Sequence, residues 1–326
     1  MSETRRFKVV IAGFGFPDSE PEIEQLGDIA DVVTDPASVR DAFLEVVSDA
    51  DAIMVASAHI DDEVMAAAKN LKVIAGYGVG VDQIDVEAAV RRGIVVCNSP
   101  EAMSNEVAEH AISLLFALAR QSHFADADVR LRQTWEPLSL SYRPILLKGK
   151  TLAVVGFGRT GSRTGRIAAG IGMKLLVYDP YINPGQLDFP GDWDIRFGAS
   201  LQEVVGKADA VVLHVPLTDE TRRMVDAEAL GTFKPGNLLI NVSRGGLIDQ
   251  AALYEALKNG RLAGAALDVF DPEPPSWDEP LLKLPNLIAT PHMAWRSESS
   301  GRRMQTDASS EVRRILLGET PRWRVG

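Results

Sequence analysis

Cysteine is almost absent from this sequence: Cys97 is the single one in 326 residues. That excludes an internal disulfide and any multi-cysteine metal centre. Histidine is scarce too, at five, and no pair has zinc-site spacing; with no EF-hand pattern either, no metal is expected. P-loop and nucleophile-elbow signatures are missing. Positive charge is in deficit, the net charge being -11, which argues against nucleic acid and anionic membranes as partners. No apolar run reaches membrane-spanning length; the longest helical one, Ala111 to Ala119, reads as a core segment. The first residues hold two arginines but no apolar stretch of signal length before the first strand, so a reduced, cytoplasmic protein is the default expectation. Low-complexity tracts and short repeats are also lacking.

What is present is an ordinary globular composition, 46% hydrophobic and 24% charged, in a length that suits two domains. Apolar strand-like runs alternate with helical patterns, which reads as parallel α/β architecture. The first half offers Phe7 to Ile11, Ala52 to Val55, Val73 to Ala75 and Ile94 to Cys97 as strands. The second half offers Leu152 to Val155, Lys174 to Tyr178, Ala210 to His214, Asn237 to Asn241, Gly264 to Asp268 and Leu287 to Thr290. Those six are taken as the full complement of a dinucleotide-binding domain. Helices from about Asn105 to Ala119 and from beyond Trp295 towards Leu317 are expected to connect the domains. The predicted division is therefore 1–104 with 297–326 as one discontinuous domain and 105–296 as the other. The stretch His123 to Lys150 reads as irregular, and its Trp135 and Tyr142 suit either a subunit interface or packing on their own domain.

The turn Leu152-Ala-Val-Val-Gly156-Phe-Gly158-Arg-Thr-Gly161 follows a strand and opens a helix predicted over Thr160 to Ile171. Gly156 permits the tight turn, Gly158 lets the backbone approach a pyrophosphate, and Gly161 lets helix and strand pack closely. The helix N-terminus supplies N–H groups and partial positive charge. Asp179, ending the next strand, would accept from the adenosine ribose hydroxyls and repel a 2′-phosphate, favouring NAD over NADP. Two other glycine clusters differ. Gly13-Phe-Gly15 runs into proline and reads as a turn. Gly76-Tyr77-Gly78-Val79-Gly80 lacks the fingerprint spacing; its N–H groups either cradle a substrate carboxylate or form a structural loop, and both readings stand.

Asp179, His214, Arg244, Asp268 and His292 all fall at or just past strand ends, where open α/β sheets bind ligands, and Glu273 lies in the loop after Asp268. Arg244 suits a carboxylate, because its planar fork gives two parallel charge-assisted hydrogen bonds. His292 is the candidate general acid/base, and Glu273 would accept from its other ring nitrogen and fix the tautomer. His214, before Pro216, is expected to line the cofactor pocket without doing chemistry. His110 is expected to be a packed, hydrogen-bonded helix residue.

With these motifs in their order, the sequence resembles the D-isomer-specific 2-hydroxyacid dehydrogenase family along nearly its whole length. The stretches that carry the resemblance are Tyr77-Gly-Val-Gly-Val-Asp-Gln-Ile-Asp, Val107-Ala-Glu-His-Ala, the Gly156 turn, Asn241-Val-Ser-Arg-Gly-Gly-Leu-Ile-Asp, Ala265-Ala-Leu-Asp-Val-Phe and Thr290-Pro-His. The resemblance implies a Rossmann NAD-binding domain beside a smaller flavodoxin-like substrate domain, both doubly wound parallel sheets. It implies Arg244, Glu273 and His292 as the catalytic set. Arg159, Thr160, Asp179, Val242, Ser243 and Asp268 would contact NAD, and the Tyr77–Gly80 loop would hold the substrate carboxylate. It also implies a homodimer, with a dimerisation arm at about 121–150. Within the family, Tyr178-Asp-Pro-Tyr and Ala294-Trp-Arg-Ser-Glu are most similar to the C-terminal-binding-protein branch. Trp295 would then favour a keto acid with an apolar or thioether side chain. The expected activity is NAD-dependent D-2-hydroxyacid dehydrogenation; the alternative is an NAD(H)-sensing interaction protein.

Overall fold

A computed structural model describes residues 5–13, 15–136, 143–186 and 193–325. The chain divides into two compact units, Met1–Met103 with Arg296–Gly326, and Ser104–Trp295.

The first unit is built on parallel strands β1 (Phe7–Ala12), β2 (Ala30–Asp35), β3 (Ala52–Val55), β4 (Val73–Gly76) and β5 (Val95–Cys97), in the order β5-β4-β3-β1-β2. That is the flavodoxin-like order. A two-residue strand, Arg324–Val325, adds antiparallel to β5. Every side chain of β3 and β4 is buried, as expected of parallel strands covered on both faces. β2 is absent from the strands expected from sequence. It lies at the sheet edge, three of its six residues are polar, and only Ala30 is fully buried, so no continuous apolar run betrays it.

The second unit carries β6 (Thr151–Val155), β7 (Lys174–Tyr178), β8 (Ile195–Phe197), β9 (Ala210–Leu213), β10 (Asn237–Asn241), β11 (Leu262–Leu267) and β12 (Leu287–Ala289). All pair in parallel in the order β12-β11-β10-β9-β6-β7-β8. From β8 to β11 this is the dinucleotide-binding succession 3-2-1-4-5-6. The expectation of six strands is corrected to seven: β8 is only three residues long, with Arg196 at its centre. Separate apolar clusters cover the two sheet faces, one including Val204, Phe233 and Leu253, the other Leu115, Leu152 and Phe157.

A second correction concerns 123–150. Ser122–Arg130 is a helix, set off from the helix Ser104–Arg120 by Gln121 in the left-handed region at φ 53°. None of its residues is fully buried, so it carries no apolar stripe to read. Arg130–Asp126 and Arg132–Asp128 pairs at helical spacing support it. Trp135 beyond it is 81% exposed; Tyr142 lies outside the described residues.

Candidate active site

In the second unit the glycine turn has the shape its sequence implies. Gly156 sits at φ +87°, and a Cβ there would fall 2.8 Å from the His214 backbone; a Cβ on Gly161 would lie 2.0 Å from the Gly156 carbonyl oxygen. Only glycine fits either place. Gly158 differs, since a Cβ there would meet nothing within 4 Å. Its Cα faces open space at the first turn of the helix Arg159–Gly170, where orphan N–H groups and the helix dipole favour phosphate. Asp179 closes the turn: its carboxylate accepts from Phe157 N–H at 2.8 Å and Tyr181 N–H at 3.0 Å. Two acceptor positions remain for ribose hydroxyls. The residues present therefore fit a dinucleotide.

His214 follows β9, its amide bonded to the Val155 carbonyl at 2.7 Å. Its Nε2 lies 2.9 Å from the Thr164 hydroxyl, and burial pushes its pKa down to about 3. The ring is thus a neutral strut between β9 and the helix that receives the turn. Ser243 Oγ donates to Val215 O at 2.5 Å, joining the loops after β9 and β10. Val242 is buried, while Pro216 and Arg159 are exposed and Thr160 is half-buried.

Arg244 sits just beyond β10. Its loop is shaped by Asn241, fully buried, whose amide donates to Arg244 O at 2.8 Å and accepts from Ser243 N–H at 3.0 Å. Gly245 then lies against the loop after β11, where a Cβ would approach Phe270 C to 2.0 Å. That contact seats the Arg244 loop on the segment leading to Glu273. Glu273 Oε1 accepts from Phe270 N–H at 2.9 Å, and Oε2 meets His292 Nδ1 at 2.7 Å. A carboxylate pinned by a backbone amide therefore holds the imidazole, leaving Nε2 for chemistry. The His292 side chain is 44% exposed, and its backbone is left-handed, with φ 49°.

The family resemblance points Asp268 at NAD. Its side chain is fully buried, and its described partners are protein groups. It accepts from the Thr290 hydroxyl at 2.5 Å, Met293 N–H at 3.0 Å and Ala294 N–H at 2.8 Å. Burial raises its pKa, but donors from His110, Thr290, Met293 and Ala294 outweigh it and hold the carboxyl below its ordinary value. Sequence reasoning missed Asn241, Thr290 and this part of Asp268. A polar residue at a strand end signals a site, without telling which way it turns.

In the first unit the Tyr77–Gly80 loop follows β4. The Gly78 carbonyl accepts from Ser99 N–H at 3.0 Å and the Val79 carbonyl from Asn98 at 2.8 Å. Among the described residues, the N–H groups of Gly78, Val79 and Gly80 meet no acceptor. The Tyr77 side chain itself points into the first unit. It is 2% exposed, stacks edge-on with Phe16, and its hydroxyl donates to buried Glu22 at 2.6 Å. Burial raises the pKa of Glu22, and raises that of Tyr77 well above its ordinary value with the help of the adjacent carboxyl. Tyr77 thus anchors the loop from inside. Trp295 is half-buried at the end of the second unit.

A Rossmann sheet carrying an open glycine turn, with a hydrogen-bonded His–Glu pair at the same sheet's carboxyl edge, defines a nucleotide-binding α/β protein. Residues 112–294 match the NAD binding domain of the D-isomer specific 2-hydroxyacid dehydrogenases. The chain is 39% identical over 286 residues to a glyoxylate reductase of Korarchaeum cryptofilum, covering 86% of this chain and 84% of that protein. It is 41% identical over 298 residues to a D-3-phosphoglycerate dehydrogenase of Mycobacterium bovis, covering 91% of this chain but 55% of the relative. This chain thus spans about half the length of such relatives. Among solved structures, the TT0316 protein from Thermus thermophilus superposes with TM-score 0.86 at 35% identity, covering 98% of this chain and 100% of that one. D-lactate dehydrogenase from Aquifex aeolicus, complexed with NAD and lactic acid, gives 0.84 at 27% identity, covering 95% and 96%. The chain belongs to the D-isomer specific 2-hydroxyacid dehydrogenase family.

Proposed function

We propose that this protein is an NAD-dependent D-2-hydroxyacid dehydrogenase that interconverts a small 2-keto acid and its 2-hydroxy acid. The observation that carries the reading is the 2.7 Å His292–Glu273 pair, on loops of the sheet that bears the glycine turn. NAD, when bound, supplies or accepts the hydride at C2. His292 gives its proton to the carbonyl oxygen in the reducing direction and takes it back in the other, while Glu273 keeps the ring in one tautomer. Arg244 holds the carboxylate through its fork and meets the charge developing on the neighbouring oxygen. The N–H groups of Gly78, Val79 and Gly80 offer a second place for a carboxylate. Glycine-turn residues Gly156 to Gly161 and Asp179 hold the dinucleotide, with Val242 and Ser243 beside it.

The nature of the keto acid's side chain follows from charge. Loops at the carboxyl ends of β1, β3, β4 and β5, residues 13–19, 56–61, 77–85 and 98–103, contain no lysine or arginine. They do contain Asp18, Asp61, Asp82, Asp85 and Glu101. The cations that reach these loops come from neighbouring helices and are engaged there, Arg40 with Asp61 and Arg303 with the Ala102 carbonyl. Keto acids with an uncharged side chain, such as glyoxylate, pyruvate or 4-methylthio-2-oxobutyrate, therefore rank ahead of phosphorylated ones. Exposed Leu131, Trp135 and Leu146 support a homodimer formed through 121–150, which light scattering would test.

The deciding experiment is NADH oxidation at 340 nm against a panel of 2-keto acids, with NADPH alongside and NADH binding measured separately. Turnover with NADH, fastest on a keto acid whose side chain is uncharged, is expected. Tight NADH binding without turnover on any acid would replace the enzyme by an NADH-sensing protein.

A further inference from the structure

Behind His292 runs a part-buried hydrogen-bonded chain, ending on fully buried Asp268, that acid/base chemistry does not require. His110, on the helix Ser104–Arg120, places Nε2 3.2 Å from Thr290 Oγ1 and 3.5 Å from Asp268 Oδ1. The proton inventory fixes its direction. Thr290 has one hydroxyl proton, directed at Asp268 Oδ1 over 2.5 Å, so Oγ1 has only lone pairs left for His110. His110 Nε2 therefore carries its own proton and donates. Asp268 in turn holds three consecutive amides. Its carbonyl takes His292 N–H at 2.8 Å, and its carboxylate takes those of Met293 and Ala294. The segment so held contains the left-handed backbone of His292, which L side chains rarely adopt and which persists where surroundings over-determine it. The supporting helix is packed into the core: Ala108, Ala111, Ile112 and Leu114 beside His110 are all buried.

We propose that His110 is a positioning residue for His292: through Thr290 and Asp268 it sets the turn on which the imidazole rides, and so the aim of Nε2. The inference rests on the dehydrogenase reading, because only there does the aim of that nitrogen govern a rate. A hydrogen bond that served packing alone would change stability and leave the ring's orientation and the turnover number untouched.

The test compares His110→Leu, Thr290→Val and His110→Gln with the parent. Gln is chosen because its amide nitrogen reaches the place of Nε2. Three readouts are needed: ring resonances of His292 in long-range 1H–15N spectra without cofactor, NADH affinity by fluorescence, and kcat and KM on the best keto acid. His110→Leu and Thr290→Val are expected to move His292 from one tautomer to an average of two. They should keep NADH affinity within about twofold and lower kcat roughly ten- to a hundredfold, the scale of a small misplacement of a catalytic group. His110→Gln should restore both readouts. The proposal falls if ring signals and kcat stay at parental values in both disrupting variants, or if Gln fails to rescue while NADH affinity and folding are intact. Should His110→Leu not fold, the nearly isosteric Thr290→Val carries the same decision. If the parent itself reduces no keto acid, the dehydrogenase reading fails, and the ring spectra still decide whether His110 positions His292.

Discussion

At the scale of single residues, the site depends on proton positions more than on charge. His292→Ala is expected to leave NADH affinity near the parental value and to lower kcat by roughly 10²–10⁴-fold, the usual share of a general acid/base. Stopped-flow fluorescence and steady-state rates on one preparation check both halves, and undiminished turnover would remove His292 from the chemistry. Arg244→Lys should weaken substrate binding and turnover together, because a point charge replaces a two-pronged donor. His214 gives a pH signature instead. Its folded pKa of about 3 lies below the ordinary histidine value of 6.5, so the unfolded chain takes up the proton first. Its contribution to stability is complete above about pH 6.5 and is lost as pH falls towards about 3, at roughly 1.4 kcal/mol per unit between them. In His214→Gln, the fall in Tm between pH 7 and pH 5 should be visibly shallower; an unchanged slope would show the ring titrating normally.

Elements place these residues, and glycines decide how closely the elements meet. Gly245→Ala puts a Cβ into the Phe270 backbone, so it should cost about 1–3 kcal/mol by overpacking and also shift the Glu273 loop, reducing turnover. Gly170→Ala meets nothing within 4 Å and lies at the end of a helix, so it should be neutral or stabilising by about 0.5–1 kcal/mol. Denaturant titration of the two variants side by side tests whether backbone approach, and not glycine flexibility, is what these positions need. The same contrast marks what could be read beforehand. Strands β3, β7 and β10 were legible to the residue, because buried parallel strands are continuous apolar runs between turn residues. β2, β8 and the helix Ser122–Arg130 were not, being marginal, charged or exposed. The strand-end rule singled out Arg244 and His292, which do lie just past β10 and β12. It could not show that Tyr77 turns inward to Glu22, nor that His110 bonds a residue 180 positions away, since the direction of a side chain and its distant partner leave no local pattern.

For the whole molecule, the division into two units with separate cores makes Cys97 a local reporter. The thiol is fully buried on β5 of the first unit, and burial, with Glu311 adding to it, pushes its pKa up to about 12. In the native protein it should resist iodoacetamide near neutral pH, because both access and thiolate are lacking. In denaturant it should react stoichiometrically. Rapid labelling of native protein, read by intact mass, would contradict the burial described.

The left-handed backbone at residue 292 also limits how the site can be silenced for other work. Bulky and β-branched replacements would carry a steric penalty there, disturbing the turn along with the chemistry. Asparagine is among the residues most at ease in that conformation, and its amide can still reach Glu273. His292→Asn is therefore the substitution for trapping a keto acid and the reduced dinucleotide together, stalled and ready for crystallisation, in a scaffold otherwise left as it was.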